Sequence, residues 1–177
     1  MSPKRNVTLD KYARNARAWK DSGDTFYRAA TLLFQTHDLL LIFPAAMLGH
    51  HALERYLKAA LIREGYTVFN PRDINRLDPP IAIQEADCAW DHDLVVLARQ
   101  LSAKRPDFKL SDPMIFLLTF DDPPEVPTVE KGFEVFTQLF YELRFPHELT
   151  LSGVGEDNKW TLDELVAYLR PFLATIK

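Results

Sequence analysis

The stretch FYELRFPHEL, residues 140 to 149, sets Arg144 and His147 three positions apart. If both side chains converged on one phosphate, the imidazole would move a proton while the guanidinium stabilised developing charge. Pro146 works against that convergence, because it holds Phe145 in an extended conformation. Arg144 then ends a helix and His147 opens a turn, so the pair is at most a weak catalytic candidate.

A second set of chemically capable residues lies on FPAAMLGHHALERYLKAALIREG, residues 43 to 65. At about 100° per residue this segment has two apolar arcs, Leu53, Leu57, Ala60 and Leu61 on one and Leu48, Ala52, Ala59 and Ile62 on the other. His51, Glu54 and Lys58 lie between them. A helix with two apolar sides is packed from both, which leaves its polar strip partly buried, where ions must be paired or used. Glu54 and Lys58 stand in the favourable i, i+4 order. They read either as an internal ion pair or as the charged lining of a pocket that also takes His51 and Arg144. His50, His51 and Glu54 are metal-ligand types on one helix, but further protein ligands are not evident, and neither a metal nor a cofactor is expected. His92 and Tyr141 are expected near the mouth of the pocket, although His92 can equally pack on or cap its own helix.

The elements that carry these residues are helical. Five segments have a 3.6-residue apolar period, and none alternates convincingly as a strand. The first spans about 8 to 35 and is expected to weaken at DSGD. The second spans about 43 to 64, with Pro44 in its first turn and Gly65 as its C-terminal cap. The third begins with Asp91 as N-cap and ends before Pro106. The fourth runs from about 128 to 145, with Val129, Phe133, Phe136, Phe140 and Leu143 on one face. The fifth begins at TLDE, where Thr161 and Glu164 suit a capping box, and Pro171 should weaken its end. Residues 65–90 and 105–127 are long, proline-containing connections. Within them IAIQEADC and SDPMIFLLTFDD are expected to form short helices.

Composition narrows the function classes. A chain of 177 residues, 47% hydrophobic, suits one domain with a substantial core. A net charge of −4 argues against a general nucleic-acid binder. The first 20 residues nonetheless carry Lys4, Arg5, Lys11, Arg14, Arg17 and Lys20 against Asp10, which suits a solvated helix face or a phosphate-binding patch. The single cysteine, Cys88, excludes an internal disulfide and reads as a small buried residue. No apolar run is long enough for a membrane span, and the N-terminus is unlike a secretory signal, so a cytoplasmic location is expected. GVG at residues 153–155 lacks the strand, spacing and lysine of a phosphate loop, and no serine or cysteine nucleophile sits in a recognisable elbow.

Three blocks, taken in order, resemble HEPN domains. HHALERYLKAALI resembles the family's second-helix signature, with His50 and His51 where two glutamines are usual, and with Ala52, Glu54, Arg55, Leu57, Lys58 and Ala59 matching in type. DHDLVVLARQL is similar to the His-Asp-Leu start of the next helix. FYELRFP resembles the aromatic, Ala-Arg-Tyr-Pro ending, with Phe140, Arg144 and Phe145 in the corresponding places. The resemblance implies an all-α, up-and-down bundle of about five helices, frequently a homodimer. It implies either a toxin-like, metal-independent ribonuclease or a nucleotide- or nucleic-acid-binding module that often works with a nucleotidyltransferase partner. The ribonuclease members separate arginine and histidine by four to six residues, whereas only Phe145 and Pro146 separate Arg144 from His147. Binding through His51, Glu54, Lys58, His92, Tyr141 and Arg144, with Lys58 or Arg144 on phosphate, is therefore the expected function. A purely structural role is the other alternative, with some of the twelve phenylalanines supplying an apolar surface for self-association or a partner.

Overall fold

The computed structural model describes residues 9, 11–36, 38–77, 83–115, 127–144 and 157–176. Among them the protein is an all-α bundle of five helices: α1 (Ala16–Phe34), α2 (Leu39–Arg63), α3 (Leu94–Lys104), α4 (Val129–Arg144) and α5 (Asp157–Leu173). Short 3-10 turns occupy Pro71–Arg76 and Glu85–Asp87. The only extended pairings among the described residues are two isolated bridges, Thr67 with Cys88 and Pro113 with Thr128.

α2 is the axis of the bundle, touching each of the other four helices. Its two apolar arcs explain this: Leu53, Leu57, Ala60 and Leu61 are buried together with Ala52 and Ala59 on the opposite side. It begins earlier than its sequence suggests. Asp38 is the N-cap and accepts from the Leu40 N–H at 2.9 Å, so Pro44 lies inside the helix, not in its first turn. Pro44 is exposed and costs α2 the hydrogen bond that residue 44 would otherwise donate to the Leu40 carbonyl. The far end closes as expected. Gly65 adopts φ 94°, and Tyr66 and Gly65 donate to the carbonyls of Leu61 and Ile62, a Schellman closure that leaves Tyr66 and Leu61 in the core.

α1 starts at Ala16, well after Thr8, because the Asn15 side chain accepts from the Ala18 N–H at 3.0 Å and provides a competent N-cap. It does not weaken at Asp21–Asp24. Gly23 is buried there and faces α2, and a Cβ at that position would lie 2.7 Å from ring carbons of Tyr56. Gly49 does the same for α4 and α5, where a Cβ would meet Phe136 at 2.9 Å and Leu162 at 3.1 Å. The two glycines bring helix backbones closer than any larger residue permits.

α3 is capped by Asp93, not Asp91: Asp93 accepts from Val95 and Val96, while Asp91 accepts from the N–H groups of His92 and Asp93 in a preceding turn. His92 therefore sits outside the helix. α5 begins at Asp157, so Thr161 is a buried interior residue, and Glu164 accepts from the Ile115 N–H at 2.7 Å instead of closing a capping box. α5 continues through Pro171 to Leu173. Residues 111–115 of SDPMIFLLTFDD are not helical, and its remainder lies outside the described residues. Cys88 is buried, and no helix of the described residues is long and apolar enough to cross a membrane.

Alanine at position 23 should improve local helix propensity by about 1 kcal/mol yet overpack the α1–α2 contact by about 1–3 kcal/mol. Tyr56 cannot swing away freely, because its hydroxyl donates to Asp24 at 2.7 Å. Gly23→Ala is expected to lower the urea midpoint. A raised midpoint would show that the contact tolerates a methyl group.

Candidate functional site

The polar strip of α2 is buried as expected, and its centre is an ion pair. Lys58 donates to Glu54 Oε1 at 2.7 Å, with both residues only 2% exposed. The i, i+4 spacing sets the pair geometrically, and Trp19 from α1 roofs it, with the Lys58 ammonium 5.5 Å from the ring centroid. Trp19 is itself held by an Nε1–H bond to the Tyr12 carbonyl. Burial alone would push the Glu54 carboxyl up, but His51, Lys58 and His92 outweigh it and hold the carboxyl well below the usual range. Burial draws Lys58 below its ordinary value, with Glu54 opposing the shift.

Two imidazoles flank the carboxylate. His92, carried across from the start of α3, places Nδ1 at 3.2 Å from Glu54 Oε1, while 56% of its side chain remains exposed. An ionised carboxylate only accepts, so Nδ1 carries the proton in this contact and Nε2 is the ring's other nitrogen. His51 Nδ1 lies 3.6 Å from Glu54 Oε2, beyond good hydrogen-bond range. Behind both, His50 is fully buried, stacked 4.0 Å from Phe140 of α4, and its Nε2 donates to the His92 carbonyl at 3.1 Å. Burial pushes the His50 imidazole down to about 4, so the ring is neutral at pH 7.

An accessible strip runs over this buried base. Trp90 and His92 are exposed at one end, with ring centroids 6.3 Å apart. Phe140 lies 5.5 Å from His51 and 5.7 Å from Tyr141, which is exposed at the other end. Arg55, one turn after His51 on the same face of α2, stacks on Trp19 at 4.4 Å and approaches Phe26 at 5.9 Å. The Arg55 Nε has no hydrogen-bond partner among the described residues.

The structure thus brings together His51, Glu54, Lys58 and His92, with Tyr141 next to them through Phe140. The side chains of Leu143 and Arg144, and the whole of His147, lie outside what the structure describes, as do Lys4, Arg5 and Asp10 of the basic N-terminus. Lys58 is committed to Glu54 and closed off by Trp19, and the accessible cation on this face is Arg55. Arg55 was hidden in the sequence because both residues match the same motif and only the position of Trp19 separates them. Trp90 carried no periodic signal.

Comparison of the chain with protein-family models, curated proteins and solved structures finds no match. The site therefore stands on its own geometry. A second concavity, about 330 Å³, opens between α1, α2 and α5. Most of its polar groups are already paired, Lys20 and Tyr56 with Asp24 and Tyr27 with Asp163, and Arg170 stands exposed at its edge. The α2 strip is the stronger functional candidate because it alone gathers histidines around a buried carboxylate among the described residues.

Glu54→Gln leaves the Lys58 ammonium buried without its counter-charge and should destabilise the fold by about 3–5 kcal/mol. Combining Glu54→Leu with Lys58→Met should recover much of that loss in urea denaturation; a double variant as weak as the sum of the singles would remove the coupling. His50 gives a pH signature. Unfolded imidazole takes a proton near pH 6.5, whereas the folded ring resists until about pH 4. The unfolded state binds more protons in between, so stability falls on acidification from 6.5 to 4, by roughly 3 kcal/mol in all. His50→Gln should flatten that slope, and an unchanged slope would assign it to other groups.

Proposed function

We propose that this chain is a HEPN-like helical binding module that takes a phosphate-bearing ligand of nucleotide or short single-stranded RNA type on the exposed face of α2. The observation that carries the reading is Arg55, a half-buried cation without an acidic partner among the described residues, on one face with His51 and flanked by aromatic rings. Phosphate is expected on the Arg55 guanidinium, with His51 donating to one of its oxygens. A base would stack on Tyr141 or Trp90, since exposed rings beside a cation suit both a free nucleotide and a flexible strand. The Glu54–Lys58 pair supports this face from below and neutralises its own charge, so the pair itself presents no net charge to a phosphate. This divides the roles differently from the simple expectation that Lys58 would contact phosphate.

The order of the three family-like blocks and the helical bundle are compatible with this assignment. A homodimer, or a complex with a nucleotidyltransferase, belongs to the same proposal and is read by sizing at several concentrations.

Isothermal titration with ATP and GTP, and fluorescence polarisation with a labelled RNA oligonucleotide, test the reading. At least one ligand should bind with an affinity that falls as salt rises. Arg55→Ala should weaken binding roughly tenfold, about 1.4 kcal/mol, with the fold intact. Absence of binding by all three ligands, or an affinity indifferent to Arg55→Ala, rejects it.

A further inference from the structure

The three residues His50, His51 and Glu54 each place a donor atom within 4.8 Å of the others, around the buried end of the polar strip. Two of the imidazole nitrogens there, Nδ1 of His50 and Nδ1 of His51, are buried and have no hydrogen-bond partner among the described residues. Such atoms are uncommon, because a buried polar atom normally finds a partner.

The tautomer of His50 gives its bare nitrogen a direction of use. The His92 carbonyl can only accept, so the proton of His50 resides on Nε2, and Nδ1 presents a lone pair. A fully buried imidazole with a free lone pair, and with its other nitrogen bonded to a backbone carbonyl, has the arrangement that orients a metal-ligating histidine. Glu54 is prepared in the same way. Its Oε1 receives Lys58 at 2.7 Å and His92 at 3.2 Å, while Oε2 is the oxygen facing His51, at 3.6 Å from Nδ1. His50 and Glu54 thus have outer hydrogen bonds that fix their orientation without consuming the donor atoms, while His51 is held by ring contacts with Phe26 and Phe140.

We propose that His50 Nδ1, His51 Nδ1 and Glu54 Oε2 form a site for one divalent transition-metal ion, zinc above all, with a fourth position open to solvent on the His51 side. Two neutral imidazoles and one carboxylate are a nitrogen–oxygen donor set suited to borderline ions, and three protein ligands with one open position is the composition of reactive zinc sites, not of closed structural ones. His51 is about one-third exposed and supplies the entry path. The donors must draw together by about an ångström to reach usual zinc ligand separations, a movement that side-chain torsions on one helix can supply. Lys58 opposes the ion across the shared carboxylate, so affinity should be lower than in sites free of such a cation. The site requires neither nucleotide nor RNA and is tested without them.

The full-length protein, stripped with a chelator and desalted, is titrated with zinc in competition with a chromogenic chelator, and separately with cobalt. One zinc per chain is expected, with a raised thermal midpoint and visible cobalt bands of a low-symmetry nitrogen–oxygen site. His51→Gln, which replaces a partly exposed ligand, should weaken zinc at least tenfold, since even outer-sphere changes cost about 10–100-fold. His50→Gln should do the same, with circular dichroism establishing that the helices persist. Because His51→Gln leaves the buried core intact, a poorly folding His50→Gln does not decide the result. No stoichiometric zinc binding by the wild-type chain, or equal binding by wild type and His51→Gln, overturns the proposal.

Discussion

Two opposite charges on one helix, Glu54 and Lys58, organise the centre of this molecule. Removing both from water is costly, and one contact of 2.7 Å would not by itself offset it. Each neighbouring element therefore contributes: α1 covers the ammonium with Trp19, the turn before α3 sends His92 to the carboxylate, and α2 itself adds His51. Phe140 then brings α4 against His50 and His51. The axis of the bundle carries the pair because only the most enclosed helix can exclude water from it. The helix is enclosed because its apolar residues occupy two arcs and not one.

The same enclosure divides the cations of α2 by accessibility. Lys58 and Arg55 lie on neighbouring positions of one surface and both touch Trp19, but only Lys58 faces a carboxylate. Lysine's ammonium is buried near the indole, whereas Arg55, over the same ring, is only half-buried. One aromatic ring thus separates a structural charge from a usable one. A group that looks prominent along the sequence becomes foundation, and its less conspicuous neighbour becomes surface.

The features readable from sequence are those set by periodicity. The two arcs of α2, the Glu54–Lys58 spacing, the closure at Gly65 and the end of α3 at Arg105 all follow from local rules. The misread features are those where two local signals compete and a distant contact decides. Asp91 and Asp93 are equally good caps, but Leu94 donates to the Thr137 hydroxyl of α4, which fixes the helix start after Asp93. Thr161 and Glu164 satisfy a capping pattern, yet the chain is already helical from Asp157, and Glu164 is drawn to Ile115. DSGD looks like a helix break until Tyr56 is placed opposite Gly23. Among the candidate residues, the meeting of His51, Glu54 and Lys58 was legible because one helix carries all three. That His92 would cross to Glu54, and that its carbonyl would fix the His50 tautomer, depends on packing between α2 and α3, which no single segment encodes.

The hydrogen bond from Tyr27 to Asp163, at 2.8 Å, joins residues 136 positions apart. α1 and α2 are neighbours along the chain and can pair early, as local contacts do. The Tyr27–Asp163 tie encloses about three-quarters of the 177 residues, so forming it before the intervening helices have collapsed carries the full entropic cost of closing that loop. In the finished fold its geometry makes α5 a clasp across the α1–α2 pair. One tyrosine hydroxyl thus ties the first helix to the last, and loss of that tie would free the two ends of the fold from each other.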